Sequence, residues 1–363
     1  MRFGEWSLAN AAQIPTDVLL LLGALLLIFF GIVFWAKGRG SRGTAVVKTS
    51  AATATTRSRP SRALIYVLKL AGFAVLVFLV IDLFLTVYLS YQTVVEDITP
   101  SPSEVEIPPD LTIPVEEVTF IGADDLTIAG WYVPSTNGAA VILLHGYGAN
   151  RTAMIWHAQQ LYQAGYGLLL YDERASGESE GDQRTFGWRD PADVAGAIRF
   201  LQNKPGINPK QIGIAGCSIG GQIALQSASY HQAIKAVWAD GAAAVRAKDL
   251  PPTTHPIRLL VRPSNYLMDW MLSQKIDMPP PPAMIDLIGK IDKAPIMLVA
   301  GGTPHPLFGP EATAQKRFAA FAGDNAEVWV IDEAFHCDGP AYIPEEYAAR
   351  MVAFFDEAFG SGE

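Results

Sequence analysis

Residues 213–221 read Gly-Ile-Ala-Gly-Cys-Ser-Ile-Gly-Gly, which contains G-x-S-x-G. Serine at that spacing suits a nucleophile carried on a sharp turn from strand into helix: Gly216 and Gly220 admit the tight backbone, and Ser218 stands exposed above a helix N-terminus whose dipole adds positive potential. The plainer alternative is a Gly-rich turn with a capping serine. A serine hydroxyl attacks an acyl carbon only when a neighbouring base takes its proton, and that base is expected late in the chain, after the last strand. Val330-Ile331-Asp332-Glu333-Ala334-Phe335-His336 places His336 there. His157 and His231 fall in predicted helices, and His255 and His305 in Pro-rich loops. The charge on the substrate oxygen calls for two backbone N–H donors, expected from Ile219, just after the nucleophile, and from Tyr147 in His145-Gly146-Tyr147-Gly148. His145, directly after a strand, is expected to bond nearby backbone rather than serve as the base.

Such groups have to be positioned by a rigid frame. Glu117–Ile121 and Leu126–Val133 read as a hairpin, followed by Ala140–Leu144, an apolar run of the kind found in strands buried on both faces. Further strands are predicted at 167–171, 211–215, 236–239, 296–300 and 328–331, alternating with helices at 152–164, 191–202, 221–230, 310–321 and 344–359. Strands alternating with helices imply an α/β domain with a mainly parallel sheet covered on both faces, and ligands meet such a sheet at the carboxyl ends of its strands. Between Ala242 and Lys293 lies a long stretch with Pro251-Pro252, Pro279 to Pro282 and an aromatic amphipathic segment, Asn265 to Lys275. It reads equally as a cover over the site or as packing under a long loop.

Five stretches then carry a resemblance: HGYGAN at 145–150, YDERASGESEG at 171–181, TFGWRDPADV at 185–194, GCSIGG at 216–221 and EAFHCDGP at 333–340. In this order they resemble the α/β-hydrolase superfamily, in its bacterial esterase- and lipase-like branch, over about residues 115–360. The resemblance implies hydrolysis of an ester, thioester or related acyl bond through an acyl-enzyme on Ser218. The substrate would be a small acyl ester or lipid-like molecule, with no cofactor or metal. A peptidase or acyltransferase on the same residues, or a non-catalytic scaffold that binds partners, remains open. The family usually carries its triad acid three or four residues past the strand before the last, and residues 301–311 hold no Asp there. Glu311 is the nearest carboxylate, with Asp240 at the end of the preceding strand as the alternative.

Composition sets the surroundings. With 363 residues, the chain has room for one enzyme-sized domain and an appendage. Only 17% of residues are charged, below the roughly 25% of soluble domains, so part of the chain belongs in an apolar phase. Val18–Trp35 and Leu70–Tyr91 are long enough to cross a bilayer, which predicts transmembrane helices over about 16–36 and 68–91 within an anchor of residues 1–92. Asp82, inside the second run, is expected to face a partner helix. The connector from Lys37 to Arg62 carries seven Lys and Arg and no acid, which places it in the cytoplasm and the large domain outside, as a multi-pass protein of the cell membrane. Residues 93–114 read as a stiff Pro- and acid-rich linker, and residues 115–363 as the hydrolase domain. Residues 1–100 carry a net charge of +4 and the remainder −13, a balance that argues against nucleic acid as a partner. Cys217 and Cys337, too few for a framework or the usual zinc site, adjoin Ser218 and His336. Two buried thiols are the default expectation, with a disulfide left open.

Overall fold

The computed structural model describes residues 62–304 and 310–360. The first predicted span (16–36) and nearly all of the basic connector lie outside these residues. The chain divides into two compact units, 1–86 and 87–363.

In the first unit, the described residues form the front of helix α1 (Arg62–Ile98). Its side chains are apolar all round, and Leu68, Val75, Phe78, Leu79 and Leu83 are exposed. An all-round apolar surface suits an apolar surround rather than one core-facing stripe. Leu64–Ile98 is the one helix among the described residues long and apolar enough to cross a membrane, and its most apolar window is wholly unburied. At 1.5 Å per residue, α1 runs for about 55 Å, well beyond the roughly 30 Å of a hydrocarbon layer.

In the second unit, the last turns of α1 belong to the folded domain, with Ser90 and Val94 buried. The helix stops at Ile98 because Thr99 precedes Pro100, and a residue before proline is driven out of the helical region. This corrects the linker expected at 93–114. Its first six residues are helical, Ser101–Pro102 pair in parallel with Ser176–Gly177, and Val105 and Ile113 are buried. Its scattered apolar residues, at no regular spacing, plug the domain surface individually, so no periodicity reveals them.

Eight strands form one sheet: β1 (Glu116–Ile121), β2 (Thr127–Val133), β3 (Ala140–Leu144), β4 (Gly167–Tyr171), β5 (Ile212–Cys217), β6 (Ile234–Asp240), β7 (Ile296–Gly301) and β8 (Ala326–Ile331), in the order β8-β7-β6-β5-β3-β4-β2-β1. Strands β3 to β8 run parallel, and β1 and β2 form an antiparallel hairpin paired to β4. Alternation splits each central strand between two cores. Ile142, Leu144, Leu169 and Ile214 face one side, with residues of α3 (Asp190–Gln202), α4 (Ile219–Tyr230) and α6 (Glu311–Ala322). Val141, Leu143, Leu168 and Ala215 face the other, with α2 (Ile155–Gln163) and α7 (Pro344–Phe359). Both faces being covered, β3 and β4 are buried at every position, which is why their sequences are unbroken apolar runs.

Candidate active site

Ser218 lies between β5 and α4, at φ 58° and ψ −116°, a conformation costly for a side-chain-bearing residue. The surrounding backbone holds it there. Its N–H donates to the Asp240 carbonyl at 2.7 Å, and its own carbonyl accepts from Gln222 N–H at 3.0 Å. A Cβ at Gly220 would lie 2.5 Å from the Leu144 carbonyl oxygen, so only glycine lets α4 start this close to the end of β3. The strained turn is thus over-determined by packing, and it sits at the carboxyl edge of the sheet.

The loop after β3 leans on the same turn. A Cβ at Gly146 would stand 3.6 Å from the Ser218 Cβ, which sets the 145–148 loop beside Ser218. Tyr147 is anchored away from it: its Oη donates to the Glu96 carbonyl at 3.0 Å and accepts from Arg184 at 2.8 Å, and the Arg184 guanidinium stands 4.2 Å from its ring centre. Ile219 begins α4, among N–H groups that have no intrahelical acceptor. His145 is buried and uses both ring nitrogens on backbone, with Nδ1 donating to the Gly146 carbonyl at 2.9 Å and Nε2 accepting from Glu173 N–H at 3.0 Å. Burial holds its pKa down at about 4, so it stays neutral and structural.

His336 sits in the loop between β8 and α7, with its side chain about half exposed. Its Nδ1 meets Glu311 Oε2 at 2.5 Å, and the other carboxylate oxygen of Glu311 accepts from Gly301 N–H at 2.9 Å. Glu311 is the first residue of α6, where the helix dipole favours a carboxylate. From there its side chain bridges the end of β7 and the imidazole. Burial pushes the His336 pKa down, but the hydrogen bond and charge of Glu311 outweigh it, and the net shift is upward from the ordinary value.

Asp240, the alternative carboxylate, is engaged otherwise. It is buried and accepts from Tyr347 Oη at 2.8 Å, and that hydroxyl in turn accepts from Trp238 Nε1 at 2.9 Å. Burial raises the Asp240 pKa to about 6, against the lowering effect of the Tyr347 hydrogen bond. Of the two carboxylates, the structure therefore pairs Glu311 with His336 and assigns Asp240 to a buried tyrosine.

Two features of the site escaped the sequence. Cys217 and Cys337 form a disulfide, with Cα atoms 5.9 Å apart, which corrects the expectation of two thiols. Whether Cβ vectors converge is a through-space property that adjacency in sequence does not settle. The second is Gly241, at φ 59°, where a Cβ would fall 2.6 Å from His336 Cε1. The Asp-Gly pair that ends β6 was its only signal. The segment 242–293 contains α5 (Pro256–Lys275), whose Met271 and Leu272 pack into the core, while Leu259, Tyr266 and Trp270 are exposed. His305 and the rest of residues 305–309 lie outside the described residues.

Comparison with known proteins places this architecture. Residues 126–283 match the family model of X-Pro dipeptidyl-peptidases, the S15 family. A thiohydrolase of Aspergillus aculeatus is 34% identical over 125 residues, 33% of this chain and 39% of its own length. The first curated relatives are matched over only about two fifths of their length. Among solved structures, the Pyrococcus furiosus esterase Pf2001 superposes with a TM-score of 0.57 at 24% identity, covering 72% of this chain and 98% of its own. The α/β hydrolase GrgF from Penicillium sp. gives a TM-score of 0.54 at 19% identity, covering 68% and 100%. With the strand order described above, these neighbours establish the α/β-hydrolase fold.

Proposed function

We propose that the chain is a membrane-anchored serine hydrolase that cleaves an ester, thioester or related acyl bond through an acyl-enzyme on Ser218. The observation that supports this reading is that one sheet carries, past the carboxyl ends of its strands, a serine on a strained strand-to-helix turn and a histidine whose Nδ1 is held by a carboxylate at 2.5 Å. In this mechanism Ser218 Oγ attacks the acyl carbon while His336 Nε2 accepts its proton. Glu311 keeps the other ring proton on Nδ1 and stabilises the imidazolium as it forms. The N–H groups of Ile219 and Tyr147 receive the charge on the acyl oxygen, His336 returns its proton to the leaving group, and water repeats the sequence to free the acid. The S15 match and the thiohydrolase relative favour hydrolysis in general.

Peptidase activity is the second reading, because the S15 model spans β2, the oxyanion loop and the nucleophile turn. A non-catalytic scaffold is disfavoured by the carboxylate on His336. Anchoring rests on the most apolar stretch of α1, which is unburied, together with the apolar run at 18–35, and the acid-free basic connector argues for a domain on the extracytoplasmic side.

The test is covalent labelling of the detergent-solubilised full chain by a fluorophosphonate, followed by intact mass, beside Ser218→Ala. A single adduct, absent from the variant, is expected. A folded wild type that takes up no probe would sink the proposal. An X-Pro dipeptide amide turned over faster than acyl esters would move the assignment to the peptidase.

A further inference from the structure

The base and the nucleophile ride on elements of unequal rigidity. Ser218 follows β5, which is hydrogen-bonded on both sides, to β3 and to β6. His336 follows β8, the strand at the sheet edge, paired only to β7. Three strand spacings, about 14 Å, separate β8 from β5, so the 332–338 loop must reach back across the ends of β7 and β6 to bring the imidazole toward the serine. Its hydrogen bonds run mainly to the β7 side: Thr303 N–H donates to the Ala334 carbonyl at 3.1 Å, Thr303 Oγ1 to the Glu333 carbonyl at 3.4 Å, and the imidazole meets Glu311. These bonds orient the ring relative to β7. They leave its approach to β5 open.

The Cys217–Cys337 disulfide closes that gap. It joins the residue before the nucleophile to the residue after the base, across 120 positions of sequence, and sets their Cα atoms 5.9 Å apart. Cys337 takes up φ 58° in doing so, and Gly241 leaves space beneath the ring and the sulfur. We infer that Cys217 and Cys337 are positioning residues whose bond sets the Ser218–His336 approach, so that the site is competent only when oxidised. The inference rests on the serine-hydrolase reading. A dithiol would undo the bond with balanced chemistry. Two electrons and two protons pass to Cys217 Sγ and Cys337 Sγ, the S–S bond breaks to two thiols, and the dithiol closes to its own disulfide. Outside the cytoplasm the bond persists; retained in the cytoplasm, the same chain would be held inactive.

The test compares the full-length protein in detergent with and without dithiothreitol. It measures the second-order rate of fluorophosphonate labelling, and kcat and KM for p-nitrophenyl acetate, below the thermal unfolding midpoint of each form. Reduction, verified as a gain of two hydrogens by intact mass, is expected to slow labelling and lower kcat by about tenfold or more, with KM within about twofold. The double variant Cys217→Ala/Cys337→Ala is expected to match the reduced protein and to ignore the dithiol. A purely structural bond would lower the unfolding midpoint and leave the rate per folded molecule unchanged. Equal labelling rates for folded oxidised and reduced protein would overturn the inference alone. Absence of labelling in both would overturn the hydrolase reading with it. Where the variant does not fold, the reduction arm decides, and where the bond resists reduction, the variant does.

Discussion

Glu311 and Asp240 both act electrostatically on His336 and differ in what else they hold. Glu311 spends one oxygen on Gly301 N–H and the other on His336, whereas Asp240 is committed to Tyr347. Glu311→Gln should therefore cost roughly 10²–10⁴-fold in kcat, against a much smaller loss for Asp240→Asn measured per folded molecule. The pH profile carries the same argument with a definite sign. On the serine-hydrolase reading the base works as neutral imidazole, so activity is expected to fall as pH drops through the His336 pKa, which Glu311 holds above its ordinary value. Removing the Glu311 charge should move the acidic limb of kcat/KM to lower pH, and an unmoved limb would show that Glu311 does not govern the base. Gly241→Ala would push a methyl into the His336 ring and strain a left-handed backbone. A stability loss of about 1–2 kcal/mol by denaturant titration and a fall in kcat of about 100-fold are expected.

Elements account for what single residues do not. Helix α5 is apolar on two sides: Met271 and Leu272 enter the core, while Leu259, Tyr266 and Trp270, spaced by seven and four residues, are exposed. Leu272→Ala should cost about 2–4 kcal/mol as a buried truncation, and Trp270→Ser should change stability by less than about 0.5 kcal/mol. If the exposed stripe selects apolar acyl chains as a cover over the site, Trp270→Ser will slow long-chain esters relative to acetate; equal slowing of both would reduce α5 to packing. The Tyr347 hydroxyl ties α7 to β6 through Asp240 and Trp238, and Tyr347→Phe would leave two buried polar groups unpaired. Chemical denaturation should register a loss of about 2–3 kcal/mol.

At the scale of the whole molecule, a net charge of +4 in residues 1–100 and −13 beyond separates an apolar, basic front from an acidic domain. Membranes washed with alkaline carbonate should retain the full chain and release it only to detergent; recovery in the carbonate supernatant would argue for a peripheral protein. The disulfide also acts at this scale, since closing a loop of 120 residues restricts the unfolded chain. Its loss is expected to lower stability by about 2–5 kcal/mol, separately from its effect on rate.

What the sequence determined by itself was everything governed by neighbours along the chain. Apolar runs gave the boundaries of β3 and β4 because strands buried on both faces admit few polar residues, and G-x-S-x-G located Ser218 because a sharp turn has local steric demands. The apolar length of Leu70–Tyr91 was enough to predict a helix, though not that α1 continues to Ile98 into the domain. The tertiary structure alone decided which carboxylate meets His336, whether Cys217 and Cys337 join, and why residue 241 has no side chain. Each depends on distances between segments 25 to 120 residues apart. Such distances are set by strand order and loop paths in the assembled sheet, and local pattern carries no record of them.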